Sequence, residues 1–292
     1  MSGALDTVRL WGRMVKFSHS VFALPFALSG VALAATHHGV TARQLGWIVV
    51  AMVAARNAAM GFNRLADHAL DARNPRTAAR ELPSGRLRRG AVWSFTLALA
   101  ALFLFAAARL GPLCGALGPL ALAIVFAYSY TKRFTWASHL VLGLALAMAP
   151  VGGWVALAGR FSATAWMLAL AVLSWVAGFD VIYACQDVDF DRSAGLHSIP
   201  ARFGVRRALG LARLLHAVTA AGLAAVGLLE RLHPIYWLGW AAIVALLGWE
   251  HRLVRPGDLS RLGAAFFNMN GVIGVLYLAT VLVAVLLPRL VG

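Results

Sequence analysis

Stretches of about 20 mostly apolar residues recur along the whole chain, separated by short polar segments rich in arginine. As a helix, that length crosses ~30 Å of hydrocarbon. The runs lack the alternation and turn spacing of a barrel. The pattern predicts an all-α polytopic membrane protein with about nine transmembrane helices, over 18–36, 44–66, 91–109, 112–130, 137–158, 164–186, 207–228, 234–250 and 267–288. Pro112 and Pro234 fall at helix starts, where proline is tolerated. Arg9, Arg13 and Lys16 ahead of the apolar stretch Val21 to Ala35 mimic a signal peptide. Because more apolar spans follow, the stretch reads as an uncleaved first helix.

Composition agrees with this picture. Of 292 residues, 61% are hydrophobic, and the mean hydropathy is +0.77. The formal charge of +15 would suit nucleic acid. Its distribution excludes that partner, since the arginines sit between apolar spans and the lysines are only Lys16 and Lys132. The bilayer is the partner that explains them. With nine spans, the side holding the N-terminus carries most of the basic residues, including Arg73, Arg76, Arg80, Arg86, Arg88, Arg89, Lys132, Arg133, Arg202 and Arg206. The other side carries Arg43, Arg109, Arg160, Arg231 and Arg289. Positive-inside bias therefore predicts a bacterial-type plasma-membrane protein with its N-terminus inside and C-terminus outside. Cys114 and Cys185 show no metal spacing and read as buried free thiols.

Most of the chain's 11 acidic residues fall in two windows bordering apolar spans. The first, NRLADHALDARNPRTAARELPSG, holds Asn63, Asp67, Asp71 and Glu81. The second, DVIYACQDVDFDRSAGLHSIPARFG, holds Asp180, Asp187, Asp189 and Asp191. Both lie on the predicted cytoplasmic side. Their placement after the second and sixth spans suggests two four-helix units plus one helix, within a single domain over residues 1–292. On a helix, residues four apart share a face, so Asn63, Asp67 and Asp71 form a stripe. Asp180, Asp187 and Asp191 stay within about 40° of one another, while Asp189 points away. Mg²⁺ takes hard oxygen ligands and completes its shell with substrate phosphates. Two facing carboxylate stripes therefore suit Mg²⁺ ions bridging a diphosphate. Pairing with neighbouring arginines in solvated loops is the plainer alternative, but two such stripes in so acid-poor a chain favour metal. Arg76 and Arg80 stand beside these carboxylates as guanidinium forks for phosphate. Arg86, Arg88 and Arg89 read as headgroup contacts.

These windows resemble the paired motifs of the UbiA superfamily of intramembrane aromatic prenyltransferases. Its NxxxDxxxD motif is matched by Asn63, Asp67 and Asp71, and its DxxxD by Asp187 and Asp191, with Asp180 matching an upstream aspartate. RTAxRxLPSG, from Arg76 to Gly85, resembles the quinone-type branch, including 4-hydroxybenzoate polyprenyltransferases. YSYTKRFT, with Tyr128, Lys132 and Arg133, resembles the loop after the fourth span, and KFSHSVFALPFAL from Lys16 the first helix. Arg64 departs from the aspartate that many 4-hydroxybenzoate enzymes carry after the first Asn. With NPRTA and YACQDVDFDRSAGLHSIPARFG, it draws the chain toward the menaquinone/futalosine-type branch and a dihydroxynaphthoate acceptor.

The resemblance implies Mg²⁺-dependent transfer of a polyprenyl group from polyprenyl diphosphate to a ring carbon of an aromatic acid, in ubiquinone or menaquinone biosynthesis. It implies Asn63, Asp67, Asp71, Asp187 and Asp191 as metal ligands. It implies Arg76, Arg80, Lys132 and Tyr128 around the diphosphate. Asp180 either orients or deprotonates the acceptor or stands behind the metal, and Lys132 stabilises the leaving group. Arg64 either pairs with Asp67 or Asp71, attracts an acceptor carboxylate, or snorkels to the interface. An ion-coupled transporter would place acids near span centres, and these cluster at one face. A CDP-alcohol phosphotransferase would show one compact acidic run. Transfer to another aromatic or tetrapyrrole acceptor is a further alternative. His19 reads as satisfied by a helix neighbour, and His37, His38 and His139 as interfacial. Asn268 and Asn270 read as helix glue.

Overall fold

The computed structural model describes residues 3–16, 20–264 and 269–291. They form α1 (Ala4–Met14), α2 (Ser20–Ala34), α3 (Ala42–Ala66), α4 (His68–Arg73), α5 (Arg89–Leu110), α6 (Pro112–Thr131) and α7 (Ser138–Ala158). There follow α8 (Ala163–Ala184), a 3-10 turn (Cys185–Asp187), α9 (Val188–Ser193), α10 (Ile199–Phe203), α11 (Val205–Leu229), α12 (Ile235–Leu253), α13 (Leu262–Ala264) and α14 (Asn270–Val291). No strand occurs among the described residues, and Arg255 and Asp258 form an isolated bridge.

Among the described residues, nine long helices overlap the nine predicted spans, and the starts of the first and last spans lie outside the described residues. Seven are long and apolar enough to cross a membrane: α3, α5, α6, α7, α8 with its continuation to Ser193, α11 and α14. The described apolar part of α2, Leu24–Ala34, is shorter. In α12, Glu250, His251 and Arg252 occupy the last turns and lower its hydropathy. Local signals set several boundaries. Thr41 and Gln44 form a reciprocal capping box at the start of α3. Gly111, at φ 136, separates α5 from α6, and Pro112 opens α6 as its first residue. Pro234 caps α12.

Sequential neighbours pack from α3 through α5, α6, α7, α8, α11 and α12 to α14. The chain of contacts closes through α2, which lies against both α14 and α7. Glycines permit the closest approaches: a Cβ on Gly30 of α2 would strike the Pro150 carbonyl of α7, and one on Gly143 of α7 the Leu173 carbonyl of α8. Small residues let membrane helices interlock in this way. The main core gathers Phe26, Trp154, Leu168, Trp175, Tyr236 and Tyr277 between α2, α7, α8, α12 and α14. Asn270 links helices as expected: it accepts from Trp175 Nε1 at 2.9 Å and donates to Glu250 at 3.1 Å. His19 and Asn268 lie outside the described residues. Both cysteines are free thiols, Cys185 buried and Cys114 partly so.

Candidate active site

The first window bends instead of running on as one helix. Asp67 ends α3 and starts α4, with φ −93 and ψ 5. The i to i−4 bonds nevertheless continue, from Asp67 N to Asn63 O at 2.9 Å and from Asp71 N to Asp67 O at 2.7 Å. This preserves the shared face that the four-residue spacing predicts. Asn74 is extended, as expected before Pro75, and ends α4. Its side chain accepts from Arg76 N at 2.9 Å, while Thr77 Oγ1 donates to the Asp71 carbonyl at 3.0 Å. The turn returns Arg76 and Arg80 over the carboxylates. The second window breaks too, since the Cys185–Asp187 turn separates α8 from α9.

All ten predicted site residues line one cavity of roughly 190 Å³: Asn63, Asp67, Asp71, Arg76, Arg80, Tyr128, Lys132, Asp180, Asp187 and Asp191. Asp189 is exposed and not among the lining residues. Lys132 Nζ is 3.1 Å from Asp67 Oδ2, and Arg133 is 3.5 Å from Asp67 Oδ1. Arg80 Nη1 meets both Asp71 oxygens at 2.7 and 2.8 Å. Arg76 crosses to the other window. Its Nε and Nη2 donate to Asp187 at 2.9 and 2.6 Å, and its Nη1 to Tyr183 Oη at 3.1 Å. Burial works against the Arg76 charge, but the Asp187 carboxylate outweighs it and pushes the guanidinium pKa up. Asn63 Nδ2 donates to Asp67 Oδ2 at 3.1 Å and to Ser129 at 3.4 Å, which leaves its carbonyl oxygen as the group for a cation.

These donors are hard oxygens, the set that suits Mg²⁺. Guanidinium and ammonium groups already lie against Asp67, Asp71 and Asp187, so the carboxylates sit where positive charge is favoured. Among the described residues, no three His, Cys, Asp or Glu side chains are grouped so as to hold a metal ion by themselves.

Two residues are not where the sequence puts them. His139 is buried instead of interfacial, with Nδ1 2.6 Å from Asp180 Oδ2. Nothing in the linear pattern signals this, because the two are 41 residues apart. Arg64 neither faces the cavity nor snorkels. It is 3% exposed, and its Nε donates to the Met14 carbonyl at 3.2 Å, pinning the end of α1. Among the described residues, the ion pairs of Asp67 and Asp71 are made with Lys132, Arg133 and Arg80, while Arg64 is taken up by the Met14 carbonyl at the end of α1. Lys16, just beyond α1, has its pKa lowered to about 8 by burial and by Arg64, Arg80 and Arg76. Ser198, Tyr183 and Ser129 also line the cavity and were not singled out by spacing. His37 pairs with Glu230 at 2.7 Å, remote from these residues. Arg86 bonds Ser84 at 3.0 Å and lies 3.9 Å from Glu81, and Arg88 caps α5, so neither reaches the cavity.

Residues 23–272 match the model of the UbiA prenyltransferase family. A 4-hydroxybenzoate octaprenyltransferase of Aeromonas hydrophila is 32% identical over 237 residues, 80% of this chain and 81% of the relative. A UbiA homologue from Aeropyrum pernix, solved in its apo form, is 34% identical with a TM-score of 0.83, covering 91% of this chain and 97% of that one. A UbiA homologue from Archaeoglobus fulgidus, bound to DMAPP and Mg²⁺, has the same fold at 20% identity and a TM-score of 0.76, over 94% of this chain and 98% of that one.

Proposed function

The chain belongs to the UbiA prenyltransferase family, and from that premise we propose that a single domain over residues 1–292 catalyses Mg²⁺-dependent transfer of a polyprenyl group from its diphosphate to a ring carbon of a hydroxylated aromatic acid in quinone biosynthesis. The observation carrying this reading is that Asn63, Asp67, Asp71, Asp187 and Asp191 share one cavity with Arg76, Arg80 and Lys132. Oxygen donors and phosphate-binding cations are then set around the same space.

Asn63, Asp67, Asp71, Asp187 and Asp191 would hold the metal. When bound, Mg²⁺ neutralises the negative charge that grows on the departing diphosphate. Arg76, Arg80 and Lys132 turn from their carboxylates to the diphosphate oxygens and hold that charge in place. Tyr128 contributes to the cavity wall beside them. The allylic C–O bond breaks and its electron pair leaves on the diphosphate. A π pair of the acceptor ring forms the new C–C bond, and the proton lost from the ring goes to the Asp180 carboxylate. The apolar prenyl tail runs between helices toward lipid.

The acceptor assignment has two supports that differ. NPRTA and YACQDVDFDRSAGLHSIPARFG favour a dihydroxynaphthoate, and the curated relatives' names favour 4-hydroxybenzoate. Arg64 no longer bears on the choice, since its side chain lies under α1. We favour the naphthoate. Membranes carrying the protein, incubated with labelled polyprenyl diphosphate, should label both acids or the naphthoate alone. A kcat/KM preference above tenfold for 4-hydroxybenzoate, about 1.4 kcal/mol, would exclude the naphthoate and leave prenyl transfer intact. Labelling of neither acid would sink the transfer reading.

Arginine distribution supports a cytoplasmic N-terminus and active site. A reporter fused after Gly292 should be active only in its external-compartment form; cytoplasmic activity would reverse the assignment.

A further inference from the structure

A short segment, Leu196–Ile199, touches three parts of the cavity. Leu196 N donates to the Asp191 carbonyl at 2.8 Å, and His197 N to the Lys132 carbonyl at 2.7 Å. Ser198 Oγ donates to Asp191 Oδ2 at 2.7 Å and accepts from Ala201 N at 3.3 Å as the cap of α10. Ile199 N donates to His139 Nε2 at 3.3 Å. This last contact decides the histidine tautomer. A ring nitrogen that accepts an N–H carries the lone pair, so the proton sits on Nδ1. Nδ1 then donates to Asp180 Oδ2 at 2.6 Å. His139 itself is 4% exposed and has both nitrogens engaged, whereas the Asp180 side chain keeps 25% of its surface open.

We propose that His139 is the positioning residue of the reaction: held in one tautomer by Ile199 N–H, it fixes the Asp180 carboxylate so that one oxygen is occupied and the other is presented to the aromatic acceptor. The inference rests on the transfer reading above and deepens it. It makes Asp180 the proton acceptor and denies that role to His139, whose Nε2 is blocked by backbone. It also ties the geometry of the acceptor site to the metal stripe, because the segment that sets the His139 tautomer is anchored on Asp191 through Ser198. A triad histidine held by a buried aspartate uses the same logic with the roles exchanged.

Glutamine can imitate this histidine. Its carbonyl can accept from Ile199 N while its amide donates to Asp180, with both atoms on one carbon as the two ring nitrogens flank one. The test compares His139→Leu and His139→Gln in purified protein, with kcat, donor KM and acceptor KM measured separately at saturating Mg²⁺. His139→Leu should lower kcat at least about tenfold, part of the 10²- to 10⁴-fold that a positioned base supplies, and leave the donor KM within about twofold. His139→Gln should recover most of the lost kcat. Equal impairment of the two variants, near-normal kcat in both, or a donor KM that rises in step with the loss of kcat would overturn the proposal. If His139→Leu does not insert, His139→Ala replaces it under the same criteria, since it carries no side-chain hydrogen-bonding group. Failure of the wild-type protein to prenylate either acid would instead remove the transfer reading.

Discussion

The two carboxylate stripes are neutralised differently. In the first, Asp67 and Asp71 are 4% and 5% exposed, and each is paired with a permanent cation, Lys132 or Arg80. Arg133 adds to Asp67, and Arg64 stands close enough to Lys16 to help lower its pKa. In the second, Arg76 reaches across to Asp187, but Asp191 is held by the Ser198 hydroxyl and Asp180 by the His139 imidazole. Buried charges need partners, and leaving one unpaired is costly. The first stripe is therefore close to balanced, with positive charge to spare. The second retains uncompensated negative charge, and in the proposed site it is the half that would gain most from a bound dication.

The largest effects should come from the carboxylates themselves. Asp67→Asn, Asp71→Asn, Asp187→Asn and Asp191→Asn should each lower transfer by about 10²- to 10³-fold, the scale of losing one preorganised electrostatic group, without preventing insertion. A Mg²⁺ titration of the residual activity sharpens the contrast: Asp187 and Asp191 variants should need a larger rise in Mg²⁺ than Asp67 and Asp71 variants. Equal shifts would break the comparison. Near-normal turnover at low Mg²⁺ in both Asp67→Asn and Asp191→Asn would remove the two-stripe site altogether.

The arginines come next. Arg76 and Arg80 make charge-assisted bonds worth about 1.5–3 kcal/mol, or roughly 10- to 100-fold in rate. Arg80→Ala and Arg76→Ala should raise the apparent donor KM or lower kcat on that scale. Each change strips a carboxylate of its guanidinium, Asp187 in one case and Asp71 in the other, but only the first stripe has further positive charge beside it, so the Mg²⁺ response of Arg76→Ala should change more than that of Arg80→Ala. Small, equal effects would return both side chains to headgroup contacts.

A smaller, stability-based effect tests the surplus of positive charge around the first stripe. Lys16 has its pKa lowered from 10.5 to about 8 by burial and nearby arginines. Its charged form is thus disfavoured in the fold, and the penalty is complete below about 8, where folded and unfolded chains both carry the proton. The penalty fades as pH rises toward 10.5, where both lose it. Lys16→Met should accordingly raise the melting temperature by a few degrees at pH 7, and the gain should shrink by pH 10. A gain that grows with pH would contradict the assignment. The smallest effect is reserved for Arg88→Ala, whose side chain lies away from the cavity: donor KM and kcat should stay within about twofold, inside the usual range for surface positions.

Much of this was legible along the chain because it is local. Helix periodicity puts Asn63, Asp67 and Asp71 on one face, and it survives the break at Asp67 because the i to i−4 bonds continue. Gly111-Pro112 marks a helix boundary through φ constraints that act within one residue. His139 shows the opposite. In sequence it is a solitary histidine at the start of an apolar run, and only packing of α7 against α8, with α10 laid over both, gives it partners. Arg64 shows a related effect: Asp67 and Asp71 lie about one and two turns further along the chain, but the end of α1 presents the carbonyl that its guanidinium reaches.

The sequence by itself determined the spans, the two acidic stripes, the basic segments between helices and the resemblance that links them to prenyl transfer. Hydropathy and helical spacing encode these over a few turns. The tertiary structure decided which charges meet. Arg76 finds Asp187 across 111 residues, His139 finds Asp180 across 41, and Ile199 reaches His139 across 60. Such pairs depend on how helices lie against one another, and close approaches at Gly30 and Gly143 help set that arrangement. No local period records it, because a hydrogen bond selects distance and direction in space and is indifferent to separation along the chain.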